Sequence, residues 1–521
     1  MVRVGLVFVI YFWRKIMTDR ILTMVKALAG TGKTTNSGWG MGKRVPPGVT
    51  PTEEQKAIIK RMRRAKGSKG ACAFNRSIAN ELPDKMPPNV ECATSNAFGH
   101  RAWCSYVDAS KIKPDGYKTS KIASDIIGQD LPWAMKRVVG NRIAKVINLC
   151  KCFVYDPTTS EKKNWLAGEL YVDGRAAVDW LVQKFGLDFD DKCWEYLPAV
   201  WEKGVEATSF IDFDDQNFLP LYHGIDLPVF DHLFVDEVQD LNRAKQMMAY
   251  KMGRHITAVG DINQAIYAFA GSDAESMLNM ADRMSQMGDY EELPMTLTRR
   301  CPKSVVELAN SIVPDLRCPD NAIEGSVSDM GEREWKAQLE GGGQMVLCRS
   351  NAPLTSLAFS LISRNIRCYI QGRDIGAGMK AQLRETNEKD LTTALSKVHD
   401  VTDRKCREIA GREFPDESLI ELLRDRAVCI SVIGSKCNTI EGFNKAVDGL
   451  FKDRGGEHDI QLSSCHKAKG LEHKKVTIYK SNLLMKRRKR QTEEEFQQEK
   501  NLAYVSYTRS MDELTRAYEE E

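Results

Sequence analysis

Apolar residues along this chain gather in short runs that end in glycine, hydroxyl or acidic side chains, and the stretches between runs carry charge at helical spacing. A short apolar run closed by turn chemistry reads as a buried parallel strand, and the amphipathic stretch after it as the helix that crosses back over the sheet. On this basis strands are predicted at the start of residues 21–35, at 71–74, at the start of 92–100, at 233–235 and at the start of 258–273 in a first half, and at 344–351, 366–372, after 459 and just before Arg509 in a second half that begins near Leu293. Helices are predicted after Thr50 or Thr52, either of which can cap TPTEEQKAIIKRM, from Arg76, after Arg299-Arg300 with Pro302 in the first turn, and at the end of the strand, loop and helix read over 459–476. Residues 92–100, CATSNAFGH, read as a strand running into a polar loop on the sheet's C-terminal rim. The predicted class is α/β, with two sheets of similar kind.

Two stretches break this rhythm. Residues 108–212 are rich in Lys and Trp at helical period (WAMKRVVGNRIAKVINLCKCF; AAVDWLVQKFG) and read as a helical insertion, either a structural subdomain or one that grips nucleic acid. Residues 376–458 form a shorter, charged second insertion. The resulting division is 17–107 with 213–292 for the first sheet domain and 293–375 with 459–521 for the second. Residues 1–16 hold an apolar run only about half as long as a membrane helix needs, with no small-residue cleavage site after it. They are read as an extension outside the fold with Met17 as the true start; the alternative is an added edge strand. No membrane span is expected.

The chemistry concentrates at strand ends. ILTMVKALAGTGKTT, residues 21–35, is a strand, a tight loop and a helix start that fits GxxxxGK(S/T) with Ala27 in the first glycine position. Gly30 and Gly32 free the backbone to turn its N–H groups inward, and the helix adds the positive end of its dipole. Lys33 is expected on β/γ-phosphates and Thr34 on Mg²⁺. FDHLFVDEVQDL, residues 230–241, puts Asp236 and Glu237 where a buried strand emerges, Asp236 for the Mg²⁺ shell and Glu237 for the attacking water. AVGDINQAIYAFAGSD, residues 258–273, offers Gln264 to a γ-phosphate. Its Tyr267 and Phe269 read either as core or as faces on which bases stack, the latter worth roughly 1–3 kcal/mol per base.

Composition narrows this only a little. The 521 residues call for about two to four domains. A net charge of +4 neither demands nor excludes nucleic acid, so any basic track must be local. KRRKR at 486–490 lies beside EEEFQQE and reads as a solvated loop first, a phosphate contact second. The 14 cysteines include no CxxC pair, and Cys150-Lys-Cys152 is wrong for a zinc ribbon, which suits reduced thiols in a cytoplasmic protein; the compact build suits a phage-encoded enzyme in its host's cytoplasm as well as a bacterial one.

AGTGKTT, FNRSIANEL, TSNAFGH, FVDEVQD, VGDINQAIYAF, TRRCPKS, VLCRSN, HKAKGLE and AYVSYTRS resemble, in order, the motifs of the superfamily 1 DNA helicases of the UvrD/Rep type. The resemblance implies two RecA-like P-loop domains, each with a helical insertion, and ATP with Mg²⁺ between them. It places Ala29, Gly30, Thr31, Gly32, Lys33, Thr34 and Thr35 around the phosphates and Asp236 on Mg²⁺. Glu237 becomes the catalytic base, Gln264 the γ-phosphate contact, and Arg300 and Arg509 the arginine fingers. His466, Lys469, Gly470 and Glu472 match the motif that links nucleotide to strand. Phe74, Asn75, Thr94, His100 and Phe269 match positions along the single-strand path. The chain departs from the family at Arg299, where an aromatic is usual, and at Ala270, where an arginine often follows the stacking aromatic. TPTEEQKAII resembles the adenine-reading glutamine motif but follows the phosphate loop, which leaves Gln55 as an unproven adenine ligand.

The implied activity is ATP-dependent 3′-to-5′ translocation on single-stranded DNA with unwinding of duplex, in replication, repair or recombination and with proteins of those processes as partners. A translocase that remodels without separating strands, or an RNA helicase, are the alternatives. No nuclease block follows the last motif.

Overall fold

The computed structural model describes residues 20–73, 75–110, 112–128, 130–159, 173–266, 275–339, 342–411, 417–452, 455–456, 459–487 and 491–520. The apolar N-terminal stretch with Met17, Phe74, Tyr267, Phe269, Ala270 and residues 488–490 of the basic run lie outside them. The chain divides into two units, one of residues 1–27, 32–262 and 267–295, the other of 28–31, 263–266 and 296–521.

In the first unit, β1 (Ile21–Ala27) leads through the glycine turn to α1 (Lys33–Met41). Then come α2 (Glu53–Met62), β2 (Lys69–Ala73), α3 (Arg76–Lys85), β3 (Val90–Thr94) and α4 (Ser95–Tyr106). Thr52 caps α2 in a reciprocal box with Gln55, the reading that the Thr-x-x-Gln spacing gives. After the insertion come α9 (Asp215–Tyr222), β4 (Phe230–Val235), α10 (Arg243–Met252), β5 (Gly253–Gly260), α11 (Ser276–Ser285) and β6 (Asp289–Met295). The strands pair in the order β3-β2-β4-β5-β1-β6, every pair parallel. The central strands are buried on both faces, as their unbroken apolar runs require. Because β4, β5 and β1 are neighbours and run the same way, the loops after Ala27, Val235 and Gly260 emerge side by side.

The insertion is helical, as its periodicity predicts: α5 (Lys118–Ile127), α6 (Trp133–Phe153), α7 (Gly174–Lys184) and α8 (Asp191–Glu206). It is fastened to the segment before β4 by buried charge. Lys118 lies 2.7 Å from Asp215, and Lys151 lies 2.5 Å from Asp212 and 2.8 Å from Asp215. Two ammonium groups facing two carboxylates offset one another's desolvation, whereas any one of them alone would be strongly destabilising. Asp214 sits beside this cluster, and burial together with the charge of Asp212 pushes its carboxyl up to about 6 from an ordinary 3.8. A carboxyl that is harder to ionise folded than unfolded favours the fold at low pH and costs stability as pH rises through the interval between its two pKa values. Asp214→Asn should therefore gain about 1–2 kcal/mol near pH 7.5 and nothing near pH 4, read from urea midpoints.

The second unit holds the sheet β10-β9-β11-β8-β12-β13-β7, again parallel throughout. Its elements are α12 (Lys303–Asn310), β7 (Ser326–Gly331), α13 (Glu332–Gln338), β8 (Met345–Cys348), α14 (Asn351–Ser363) and β9 (Cys368–Gln371). Four helices follow, α15 (Arg373–Arg384), α16 (Leu391–Ala410), α17 (Glu417–Gly434) and α18 (Ile440–Leu450), then β10 (Phe451–Lys452) and β11 (Ile460–Ser464). The chain ends with β12 (His473–Tyr479), α19 (Glu493–Tyr507) and β13 (Ser510–Tyr518). The Asp425 carboxylate of α17 accepts the N–H groups of Asn351 and Ala352 at 2.9 and 2.7 Å, capping α14. Both units are α/β with parallel sheets of the RecA-like kind.

Five local expectations need correction. Leu293 belongs to β6 of the first sheet, so the second unit's main stretch opens at Thr296. Residues 95–100 are the first turns of α4, because Thr94 caps a helix that starts at once. Residues 465–470 form successive turns, with no helix before β12. The apolar run before Arg509 is the end of α19, buried from Leu502 to Tyr507; a fully buried helix end lacks the alternation that would separate it from a strand. Pro302 precedes α12 as its cap instead of entering its first turn.

Candidate nucleotide site

In the first unit the site is built on the shared edge of β1, β4 and β5. Gly32, at φ 74°, turns the chain into α1, and this left-handed geometry is what Gly supplies without a Cβ clash. Lys33 and Thr34 then occupy the first turn, with Thr35 exposed beside them. Lys33 Nζ lies 2.6 Å from Glu237 Oε1, both side chains about one-seventh exposed at 15% and 14%. Thr34 Oγ1 donates to Asp236 Oδ2 at 2.8 Å. The lysine, hydroxyl and acidic pair predicted from separate motifs are thus brought together.

The electrostatics follow from burial. Desolvation depresses the Lys33 ammonium, but Glu237, Asp236 and Asp261 together outweigh it and hold the group above the ordinary lysine value. Burial and the charge of Glu237 push Asp236 up to about 6, against the pull of Lys33 and the Thr34 hydrogen bond. Glu237 adopts φ 53°, a left-handed conformation that a side-chain-bearing residue takes only under constraint. A hydroxyl and a carboxylate from adjacent loops are hard oxygen donors of the kind Mg²⁺ prefers.

In the second unit the short peptides 28–31 and 263–266 are held by their own partners. Ala29 N–H donates to Tyr504 Oη at 2.9 Å, and Arg299 N–H to Gly30 O at 3.0 Å. Gly30 has φ 71°, and a Cβ there would come within 2.6 Å of Arg300 Cβ. Thr31 Oγ1 closes the turn on Leu28 O at 2.9 Å. Lys469 Nζ donates to Gln264 O at 2.6 Å, and the Gln264 side chain is buried. Arg300 Nε meets Glu472 Oε2 at 2.5 Å. Arg509 is 1% exposed, and its guanidinium donates to Val505 O, Leu471 O and Thr508 Oγ1 at 2.7, 3.1 and 3.1 Å.

Of the described positions matched to a single-strand path, Asn75 and Thr94 fall at the ends of β2 and β3 and His100 within α4. Asn75 Oδ1 accepts from Ile78 N–H at 2.9 Å as the cap of α3, and Thr94 Oγ1 from Ala97 N–H at 3.1 Å as the cap of α4. His100 Nε2 lies 2.7 Å from Ile112 O, and His466 is partly buried. Gln55 is spent largely on its capping box, so adenine reading gains no support from it. Gln239 and Tyr504 were not singled out by the sequence; each lies inside a recognised block, and only the polar character of those positions marked them.

A glycine turn with Lys-Thr faces an Asp-Glu pair across parallel strands, the arrangement that the phosphate-loop pattern of the sequence calls for. Residues 228–285 match the UvrD/REP helicase N-terminal domain, and residues 436–521 the UvrD-like helicase C-terminal domain. The chain thus carries segments that match the N-terminal and the C-terminal domains of UvrD/Rep-type helicases, in that order. No curated protein matches the chain. Among solved structures, the arterivirus nonstructural protein 10 helicase aligns over 97% of this chain and 61% of its own, at 10% identity and TM-score 0.33. Its complex with DNA aligns over 97% and 62%, at 10% identity and TM-score 0.32. The chain therefore spans about three fifths of the length of those helicases. No helix among the described residues is long and apolar enough to cross a membrane.

Proposed function

We propose that this chain is an ATP-driven motor that moves on single-stranded DNA, 3′ to 5′ as the family resemblance implies, and separates duplex. The observation that carries the reading is the convergence of Lys33, Thr34, Asp236 and Glu237 on one strand edge. Lys33 exchanges Glu237 for the β/γ-phosphates when a triphosphate enters, which leaves Glu237 to orient and deprotonate the attacking water. Thr34 and Asp236 would hold Mg²⁺, whose charge would offset that of the phosphates. Arg300 supplies positive charge to the γ-phosphoryl group, a role favoured by its backbone lying against Gly30. Gln264 contacts the same phosphoryl group, and Glu472 holds Arg300 until then. Arg509 is proposed as the second finger, and reaching a phosphate requires it to leave its present carbonyls.

The test is the ATPase rate with and without single-stranded DNA, then with single-stranded RNA, across a salt series. DNA should stimulate hydrolysis, and the affinity should fall with a log–log slope of about −0.7 per phosphate neutralised. Equal or greater stimulation by RNA would reassign the track. No stimulation by either would remove the motor reading and leave a nucleotide hydrolase. A duplex-unwinding assay beside a translocation assay separates unwinding from remodelling.

A further inference from the structure

Glu237 has two carboxylate oxygens with different neighbours. Oε1 faces Lys33, and Oε2 accepts from Gln239 Nε2 at 2.5 Å. The same Gln239 amide, 2% exposed, accepts through Oε1 from the main-chain N–H of Asp261 at 3.0 Å. Asp261 directly follows the last residue of β5, so one side chain spans the loops that leave two neighbouring strands. The main-chain donor fixes which way the amide points, since its oxygen must face Asp261 and its nitrogen Glu237. The fit is close. A Cβ on Gly260 would lie 2.6 Å from Gln239 Oε1 and 2.8 Å from Val238 Cγ2.

From this geometry we infer that Gln239 is a positioning residue for hydrolysis, holding Oε2 of Glu237 so that Oε1 is presented to the attacking water once Lys33 has moved to phosphate. The inference rests on the reading of Glu237 as the base. Lys33 cannot hold the carboxylate and the triphosphate at once, so a second donor must keep Glu237 in place during the step. Gln239 also helps explain how Glu237 is kept at φ 53°. Its partner on the other side is main chain, which gives the clamp a fixed anchor.

The experiment measures kcat and KM for ATP in the full chain for Gln239→Met, Gln239→Glu, Gly260→Ala and the control Glu237→Gln. Gln239→Met removes both bonds. Gln239→Glu retains an acceptor for Asp261 N–H but sets a carboxylate against Glu237. Gly260→Ala displaces the amide without altering it chemically. All three should lower kcat by about 10²-fold, the usual cost of a reacting group misplaced by about an ångström. KM should change less than about threefold, since the interaction acts on the step and not on binding. If Gln239 only braces the end of β5, Gln239→Glu keeps wild-type kcat, and that result overturns the inference even if Gln239→Met fails to fold. If Glu237→Gln hydrolyses ATP at the wild-type rate, the base assignment fails first and the inference falls with it.

Discussion

Replacing Lys33 by alanine should lower ATP hydrolysis by about 10³-fold, the upper end of what one removed charge-stabilising donor costs, while leaving the folded chain intact. The expectation follows from what Lys33 touches. Its ammonium is the group set against Glu237 at 2.6 Å, and Asp236 and Asp261 add to the field that keeps it protonated. Removing it leaves two acidic groups at one strand edge without that cation, which raises Asp236 further and weakens the site for a triphosphate. The fold should survive because the strands on either side are buried through their own apolar residues, Leu22, Met24 and Val25 on β1 and Leu233, Phe234 and Val235 on β4. The measurement is the steady-state rate beside a thermal melt. A variant that melts like the parent and keeps full DNA-stimulated hydrolysis would show the site to be misassigned.

The second large effect separates the two arginines. Arg300→Ala should reduce the rate by about 10³-fold or more with no loss of stability, as expected of a side chain that supplies charge to a phosphoryl group. Its present partner is the partly exposed Glu472 carboxylate, and losing an ion pair of that kind costs the fold little. Arg509→Ala should reduce the rate too, but also destabilise the chain by about 1–3 kcal/mol. The half-buried Leu471 carbonyl would lose the guanidinium donor, Val505 O would keep only the Thr508 hydroxyl at 3.2 Å, and the space of a side chain 1% exposed would be emptied. Melts and rates measured on the same preparations distinguish the cases. If Arg509→Ala melts like the parent, its buried hydrogen bonds do not support the fold; if Arg300→Ala hydrolyses at the parent rate, it is no finger.

Much of this was legible from residue order alone. Lys33, Thr34, Asp236 and Glu237 were readable because each sits where an apolar run gives way to polar side chains, and a parallel sheet necessarily gathers such ends on one edge. Thr52 with Gln55 announced its helix by spacing. The failures have a common physical origin. The segment before Arg509 is buried on every face, and periodicity is silent when nothing is exposed. Thr94 could start a loop or cap a helix, and its hydroxyl suits both. The strand β6, DYEELPM, is mostly open to solvent at the sheet's edge and carries acidic residues, so it offered no apolar run to find. Gln239 could not be distinguished from any buried glutamine until Asp261 N–H appeared opposite it.

The carboxylate of Asp425 at the head of α14 has a mechanical meaning. It lies on a helix of the second insertion, yet it serves the first main-chain N–H groups after β8, and Glu421, one turn away on the same helix, reaches Arg349 at the tip of that strand. Through α17 the second insertion is therefore fastened to the strand layer at the edge just after β8.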